Sequence, residues 1–178
     1  ESCGQKWMDM SEGHYGVSLL NDCKYGHSAL DGVMTLTLIK SGIEPNPTAD
    51  QEEHTFTYAL YPHAEGWRQA NTVQEAMKLN QPLLSEDGGH AGCQNSFVWV
   101  DKSNVIIETV KMAEDGIIVR LYESENAKTK AHIFFGEKIS SVESCNCLEE
   151  IKQTIETDGE GFEITVKPYE IQTYRVRF

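Results

Sequence analysis

Residues 21–27, "NDCKYGH", place an acid, a thiol, an amine, a phenol and an imidazole in one short run: Asp22, Cys23, Lys24, Tyr25 and His27. Such a set could pair a nucleophile with a general base, provided the two side chains come within hydrogen-bond reach. No companion motif supports that chemistry. The chain has no G-x-S-x-G, no P-loop, no G-x-G-x-x-G and no H-E-x-x-H. A hydrolase elbow, a nucleotide cradle and a helical zinc site therefore each lack their spacing. The histidines His14, His27, His54, His63, His90 and His132 show no paired-ligand spacing and read as surface or strand residues. "CNC" at 145–147 sets its thiols closer than a zinc hairpin does, and no second pair completes a tetrahedral set. On spacing alone, 21–27 is a wide polar connection between two strands, with Asn21 and Gly26 suited to positive φ.

Two further groups invite a sugar-directed reading. Of the tryptophans Trp7, Trp67 and Trp99, Trp67 and Trp99 are the candidate sugar-stacking aromatics, because a flat ring packs well on the C–H face of a pyranose. The same rings serve equally well as filling for a sandwich core or a domain interface. Carboxylates are plentiful, with 28 Asp plus Glu. A glycosidase pair is defined by the separation of two carboxyls in space, so abundance does not identify one.

The elements that must position these residues read as strands. Met34, Leu36 and Leu38 alternate with Thr35 and Thr37; Phe162, Ile164 and Val166 alternate with Glu163 and Thr165; Tyr174, Val176 and Phe178 alternate with Arg175 and Arg177. Period two is the mark of a strand with one buried face. Further strands are expected over 15–21, 54–61, 96–101, 104–113, 117–124, 130–135, 138–144 and 150–156. "EDG" (114–116) reads as a tight hairpin, and "TDGEG" (157–161) is expected to act likewise. Within "NTVQEAMKLNQP" (71–82), Val73, Ala76, Met77 and Asn80 recur at helical spacing before Pro82, which predicts one short helix near 72–80. The fold class is thus all-β, with antiparallel β-sandwich layers. Gly-rich 85–95 is the best internal boundary, separating 1–88 from 95–178.

Composition excludes several functions. The 178 residues carry 15 Lys plus Arg against 28 acids, a formal charge of −13. That balance opposes nucleic acid and anionic membrane surfaces. No apolar run approaches the roughly 20 residues of a membrane span, and no signal-peptide apolar region opens the chain. Five cysteines without framework spacing point to reduced thiols and a cytoplasmic protein. The chain starts on Glu1 rather than Met and is expected to be a piece of something longer.

Several longer motifs carry a resemblance. Trp7-Met8-Asp9-Met10-Ser11-Glu12, then Gly16-Val17-Ser18-Leu19-Leu20-Asn21-Asp22-Cys23-Lys24-Tyr25-Gly26, then Asp50 to His54 followed by Phe56 to His63, occur in this order. "NVIIETVKMAEDGIIVRLYES" and the closing "VKPYEIQTYRVRF" follow. Together they resemble the C-terminal β region of family 38 glycoside hydrolases, the α-mannosidases, in the bacterial and cytosolic branch. The resemblance implies a retaining α-mannosidase with one zinc ion held by two His and two Asp, one of them the nucleophile. It places those residues in a catalytic domain upstream, and the H-x-D zinc motif is absent here. No catalytic residue, metal ligand or cofactor is therefore assigned to this chain; zinc belongs to the implied parent. The expected partners are that catalytic domain and mannose-containing glycans.

Three readings follow. The chain is a non-catalytic scaffold of an α-mannosidase whose turn at Asn21, Asp22, Lys24 and Tyr25 faces the cleft or a domain interface. Alternatively it is a carbohydrate-binding module using Trp67 or Trp99, or a structural dimerisation domain.

Overall fold

The computed structural model describes residues 1–85 and 96–178. Most of the expected boundary at 85–95 thus lies outside the described residues. The chain forms two compact units, Glu1–Asp87 and Gly88–Phe178. Every strand pairing described is antiparallel. Among the described residues one helix, α1 (Thr72–Asn80), interrupts the strands. The all-β reading and its single short helix hold. Among the described residues no helix is long and apolar enough to cross a membrane.

The first unit has two small sheets. β2 (Trp7–Glu12), β3 (Tyr15–Asn21) and β6 (Tyr58–Ala64) form one, with β3 central. β1 (Ser2–Cys3), β4 (Gly26–Leu30) and β5 (Val33–Leu36) form the other. α1 contributes Thr72, Val73 and Ala76 as buried residues and packs mainly on β3. Leu36, Met34 and Val33 of one sheet and Leu19, Leu60 and Tyr58 of the other line an open cavity of about 870 Å³.

Several strands differ from expectation: β5 stops at Leu36, β7 (Val98–Val100) is shorter than 96–101, and the strand expected at 138–144 runs from Ser141 to Cys145. The sequence does not announce β1, β2 or β4 as strands; in β2 the buried Asp9 follows Trp7 on one face and breaks its apolar pattern. β6 begins at Tyr58 rather than 54, because the Thr57 backbone is already bonded to Asp22. It also runs on through Pro62, which is tolerated because β6 is an edge strand.

The second unit is a closed sandwich. β7 (Val98–Val100), β10 (Thr129–Phe135) and β13 (Gly161–Val166) make a three-stranded sheet in the order β13-β10-β7. β8 (Val105–Ala113), β9 (Gly116–Glu123), β11 (Ser141–Cys145), β12 (Ile151–Ile155) and β14 (Ile171–Arg177) make the second, in the order β12-β11-β14-β9-β8. Inward residues of both sheets, among them Leu121, Ile133, Val142, Phe162 and Val176, meet in one core and are almost fully buried. Alternation does this work: Phe162, Ile164 and Val166 go inward, as the period predicts.

The two expected hairpins diverge. Ala113 pairs with Gly116 across a two-residue loop, so "EDG" is a hairpin. Gly116 sits at φ 145°, and a Cβ there would collide with the Val176 carbonyl. "TDGEG" is not a hairpin: β12 and β13 belong to different sheets. The Asp158 carboxylate instead accepts the amides of Glu160 and Gly161 and turns the chain from one layer to the other.

Candidate functional site

The 21–27 segment leaves β3 at Asn21 and enters β4 at Gly26, so it carries the chain from one sheet to the other. Asn21 is buried at 1% exposure. Its Oδ1 accepts the Lys24 amide at 2.7 Å, and its amide nitrogen lies 3.2 Å from His27 Nε2. His27 Nδ1 faces the Tyr25 carbonyl at 3.0 Å and must donate to it. Nε2 is then the acceptor for Asn21. Asn80 of the helix donates to the Asn21 carbonyl. Neither Asn21 nor Gly26 takes the positive φ expected of them. Asn21 is selected by its side-chain bonds; Gly26 is selected by crowding, since a Cβ would meet Thr37 at 2.9 Å.

The exposed part of the turn is braced as well. The Asp22 carboxylate accepts the Thr57 amide at 2.9 Å. The Lys24 ammonium lies 4.5 Å from the Phe56 ring centroid, a cation–π contact. A hydrogen bond from Cys23 and the Thr57 amide together hold the Asp22 carboxyl below the usual range. That same bond to Asp22 pushes the Cys23 thiol up. A nucleophilic cysteine needs the opposite shift, so Cys23 is not activated. Asp22, Lys24, Tyr25 and Asn21 do line one crevice, but its volume is about 40 Å³. That holds a few waters and no sugar ring. The structure thus gathers the four candidate residues into a buttressed corner without reacting groups.

One cluster escaped the sequence reading. Asp9, Ser18, His63 and Thr72 converge where β2, β3, β6 and α1 meet. Ser18 Oγ lies 2.7 Å from Asp9 Oδ1 and 2.8 Å from Thr72 Oγ1; His63 Nε2 lies 2.8 Å from Asp9 Oδ1. The residue types are those of a serine triad, but the wiring is not. In a triad the acid holds one imidazole nitrogen and the serine the other, whereas here Asp9 and Ser18 both approach Nε2. The Asp9 and His63 side chains are 4% and 3% exposed and Ser18 is fully buried, so no substrate reaches them. The cluster is a polar strut, satisfied by its own members. Its parts lie 9 to 54 residues apart, which no short-range spacing rule detects.

The two tryptophans differ in what remains of their ring surface. Trp67 packs on Trp7 with centroids 5.2 Å apart, and the Arg68 guanidinium lies 4.2 Å from its centroid. Trp99 is 42% exposed and stacks on Phe134. Burial raises the Cys145 thiol above its ordinary value, so it is not activated either.

These residues do not fit a zinc ion. Asp9 and His63 supply two donors, already spent on each other, and the described residues contain no group of three or more His, Cys, Asp or Glu able to hold a metal.

Known proteins place this architecture. A family model described as the glycosyl hydrolases family 38 C-terminal beta sandwich domain matches residues 104–174. The model of the glycosyl hydrolases family 38 C-terminal domain matches residues 1–48. Alpha-mannosidase G of Dictyostelium discoideum is 36% identical over 185 residues, covering 98% of this chain and 17% of its own length. Alpha-mannosidase 2C1 of Homo sapiens is 35% identical over 156 residues, covering 84% and 15%. The chain thus spans less than a fifth of the relatives it matches. A solved structure of a glycosyl hydrolase family 38 protein from Enterococcus faecalis superposes with a TM-score of 0.74 at 20% identity. It covers 98% of this chain and 22% of that one, a likeness of fold. Sandwich, motifs and relatives agree: the chain belongs to the C-terminal β region of glycosyl hydrolase family 38.

Proposed function

We propose that this chain is the non-catalytic C-terminal β region of a retaining, zinc-dependent α-mannosidase. It braces a catalytic domain carried elsewhere in a longer polypeptide, and its Asn21–Tyr25 turn walls the cleft or the domain interface. On this reading 1–88 is the end of a large sandwich and 95–178 the small terminal one. Mannose-containing glycans are substrates of the whole enzyme, zinc sits in its catalytic domain, and the enzyme works in the cytoplasm.

One observation carries the proposal: the first unit leaves an apolar face uncovered. Leu60 is 68% exposed, Val33 59% and Tyr58 56%, all around the cavity of about 870 Å³. Fully burying one such side chain stabilises by about 1.5–3 kcal/mol. A contiguous apolar face of this kind marks an interaction surface. Further strands of the same polypeptide supply the matching chemistry, because the α-mannosidases similar to this chain are several times longer.

The test is an assay of the purified chain on an aryl α-mannoside with zinc added. The expected result is no turnover, while a longer polypeptide that includes an H-x-D motif cleaves the same substrate. Turnover by the chain alone overturns the reading. Sedimentation of the chain as a stable dimer through this face would instead favour a dimerisation role.

A further inference from the structure

The outward face of the β13-β10-β7 sheet carries a row of rings that the core does not use. Alternation along β10 sends Ala131, Ile133 and Phe135 into the core and leaves His132 and Phe134 outside. Register sets Trp99 of β7 opposite Phe134. The Trp99 and Phe134 rings are 11° from parallel with centroids 5.4 Å apart, and the His132 ring backs Phe134 at 4.3 Å. On the other neighbouring strand Phe134 faces Gly161, which puts no side chain beside it. A Cβ at Gly161 would meet His132 Nε2 at 2.5 Å, so the glycine is what lets His132 lie behind the row. A depression of about 180 Å³ runs along Trp99 and Phe134 to Glu137, Lys138 and Glu160. A second, of about 560 Å³, runs from His132 past Asp158 to Glu163.

We propose that this row is a binding site for a neutral saccharide, with a pyranose C–H face on the outer face of the Trp99 indole, which Phe134 backs. Its hydroxyls would donate to the exposed carboxylate of Glu160, which lines the same depression as Trp99. The negative π-face of an aromatic ring attracts the weakly positive C–H groups of a sugar, and carboxylates accept hydroxyl protons strongly. Charge selects the class of ligand. Among the described residues Glu137, Asp158, Glu160 and Glu163 border the row against the single cation Lys138, since Lys130 is spent on Glu163 at 2.8 Å, so the rim is net acidic. In a chain of net charge −13 that rim repels phosphate, sulfate, uronate and nucleic acid. A protein partner fits less well. Protein interfaces bury roughly 1,000 Å² or more around a charge-poor centre, and this row is one ring wide between carboxylates. The site stands independently of the scaffold reading, since a brace needs no sugar contact.

The test titrates the 178-residue chain with three neutral probes, α-mannotetraose, cellotetraose and xylotetraose. Tryptophan fluorescence and ¹⁵N amide shifts report binding. At least one probe is expected to saturate, with shifts centred on Trp99, Phe134 and Glu160. Trp99→Ala is expected to weaken binding by about tenfold or more, equivalent to about 1.4 kcal/mol. Trp99→Phe, which keeps a ring, retains most of it, and Trp67→Ala leaves it unchanged. Amide dispersion checks that each variant keeps its sandwich, and shift mapping on the unaltered chain gives an answer even where a variant unfolds. Failure of all three probes to saturate, shifts centred away from Trp99, or binding indifferent to Trp99→Ala each overturns the proposal. So does a longer polypeptide in which acrylamide cannot quench the Trp99 indole, because a protein segment then covers the row.

Discussion

The two units solve the same problem, burying one face of a strand, with different materials. In the second, the inward faces of both sheets meet each other, and the core from Val105 to Val176 is apolar and closed. In the first, the buried apolar side chains are few, among them Leu19, Leu20, Val73 and Ala76. Polar clips do much of the holding: Asn21 with His27, and Asp9 with Ser18 and His63. Its largest apolar surface faces an open cavity. A sandwich whose two sheets cover one another carries its own stability. A pair of sheets held at the corners by hydrogen bonds, with apolar strands left wet, is on the proposed reading completed by the rest of a longer polypeptide.

Core truncation gives the largest expected effect and the sharpest contrast. Phe162→Ala in the second unit, where the ring is 1% exposed, should cost about 3–5 kcal/mol by denaturant unfolding. Next comes Glu123, fully buried, which accepts the Asn104 side-chain amide and the backbone amides of Glu125 and Tyr169. Glu123→Ala leaves these donors stranded and should cost about 2 kcal/mol. Burial pushes the Glu123 carboxyl up, but these hydrogen bonds outweigh it and the net shift is downward. A lowered folded value means the stabilisation is present above the unfolded value of about 4.3 and is lost as pH falls through the folded one. Replacing Glu123 with Gln should therefore flatten the acid limb of the stability curve.

In the first unit, Asn21→Ala should cost about 1–2 kcal/mol, by removing the acceptor for Lys24 and the partner of His27. A thermal melt that resolves the two units reads it directly. Leu60→Ser gives the smallest effect. In this chain the residue is 68% exposed, and the change should stay within about 0.5 kcal/mol. A cost of several kcal/mol in this chain would show that the face is already covered and would erase the contrast between the units.

What the sequence revealed follows from the range of the interactions concerned. Strand β13 and helix α1 announced themselves because period two and period 3.6 are local. The hairpin at 114–116 was legible because Gly116 is required by its own φ. "TDGEG" carries the same turn chemistry, yet it crosses between layers, and which layer the next strand joins is decided by distant partners. β2 was hidden because a buried acid, Asp9, follows Trp7 on one face, and a rule of apolar burial assigns that acid to water. At 21–27 the wide connection was legible from residue types. The clip of Asn21 on His27 and the tie of Asp22 to Thr57 were not, because the second spans 35 residues. Trp99 and Trp67 could not be ranked from composition, since only their neighbours, Phe134 for one and Trp7 with Arg68 for the other, set their exposed ring surface.

Hydroxyl-radical footprinting of this chain beside a longer polypeptide that contains it reads whether the apolar face of the first unit is covered. Tyr58 and Leu60 report the open face, and Met112, 81% exposed in the second unit, is the reference. Tyr58 and Leu60 should be oxidised in the chain alone and strongly protected in the longer polypeptide, relative to Met112. Equal oxidation of Tyr58 and Leu60 in both would contradict coverage of that face.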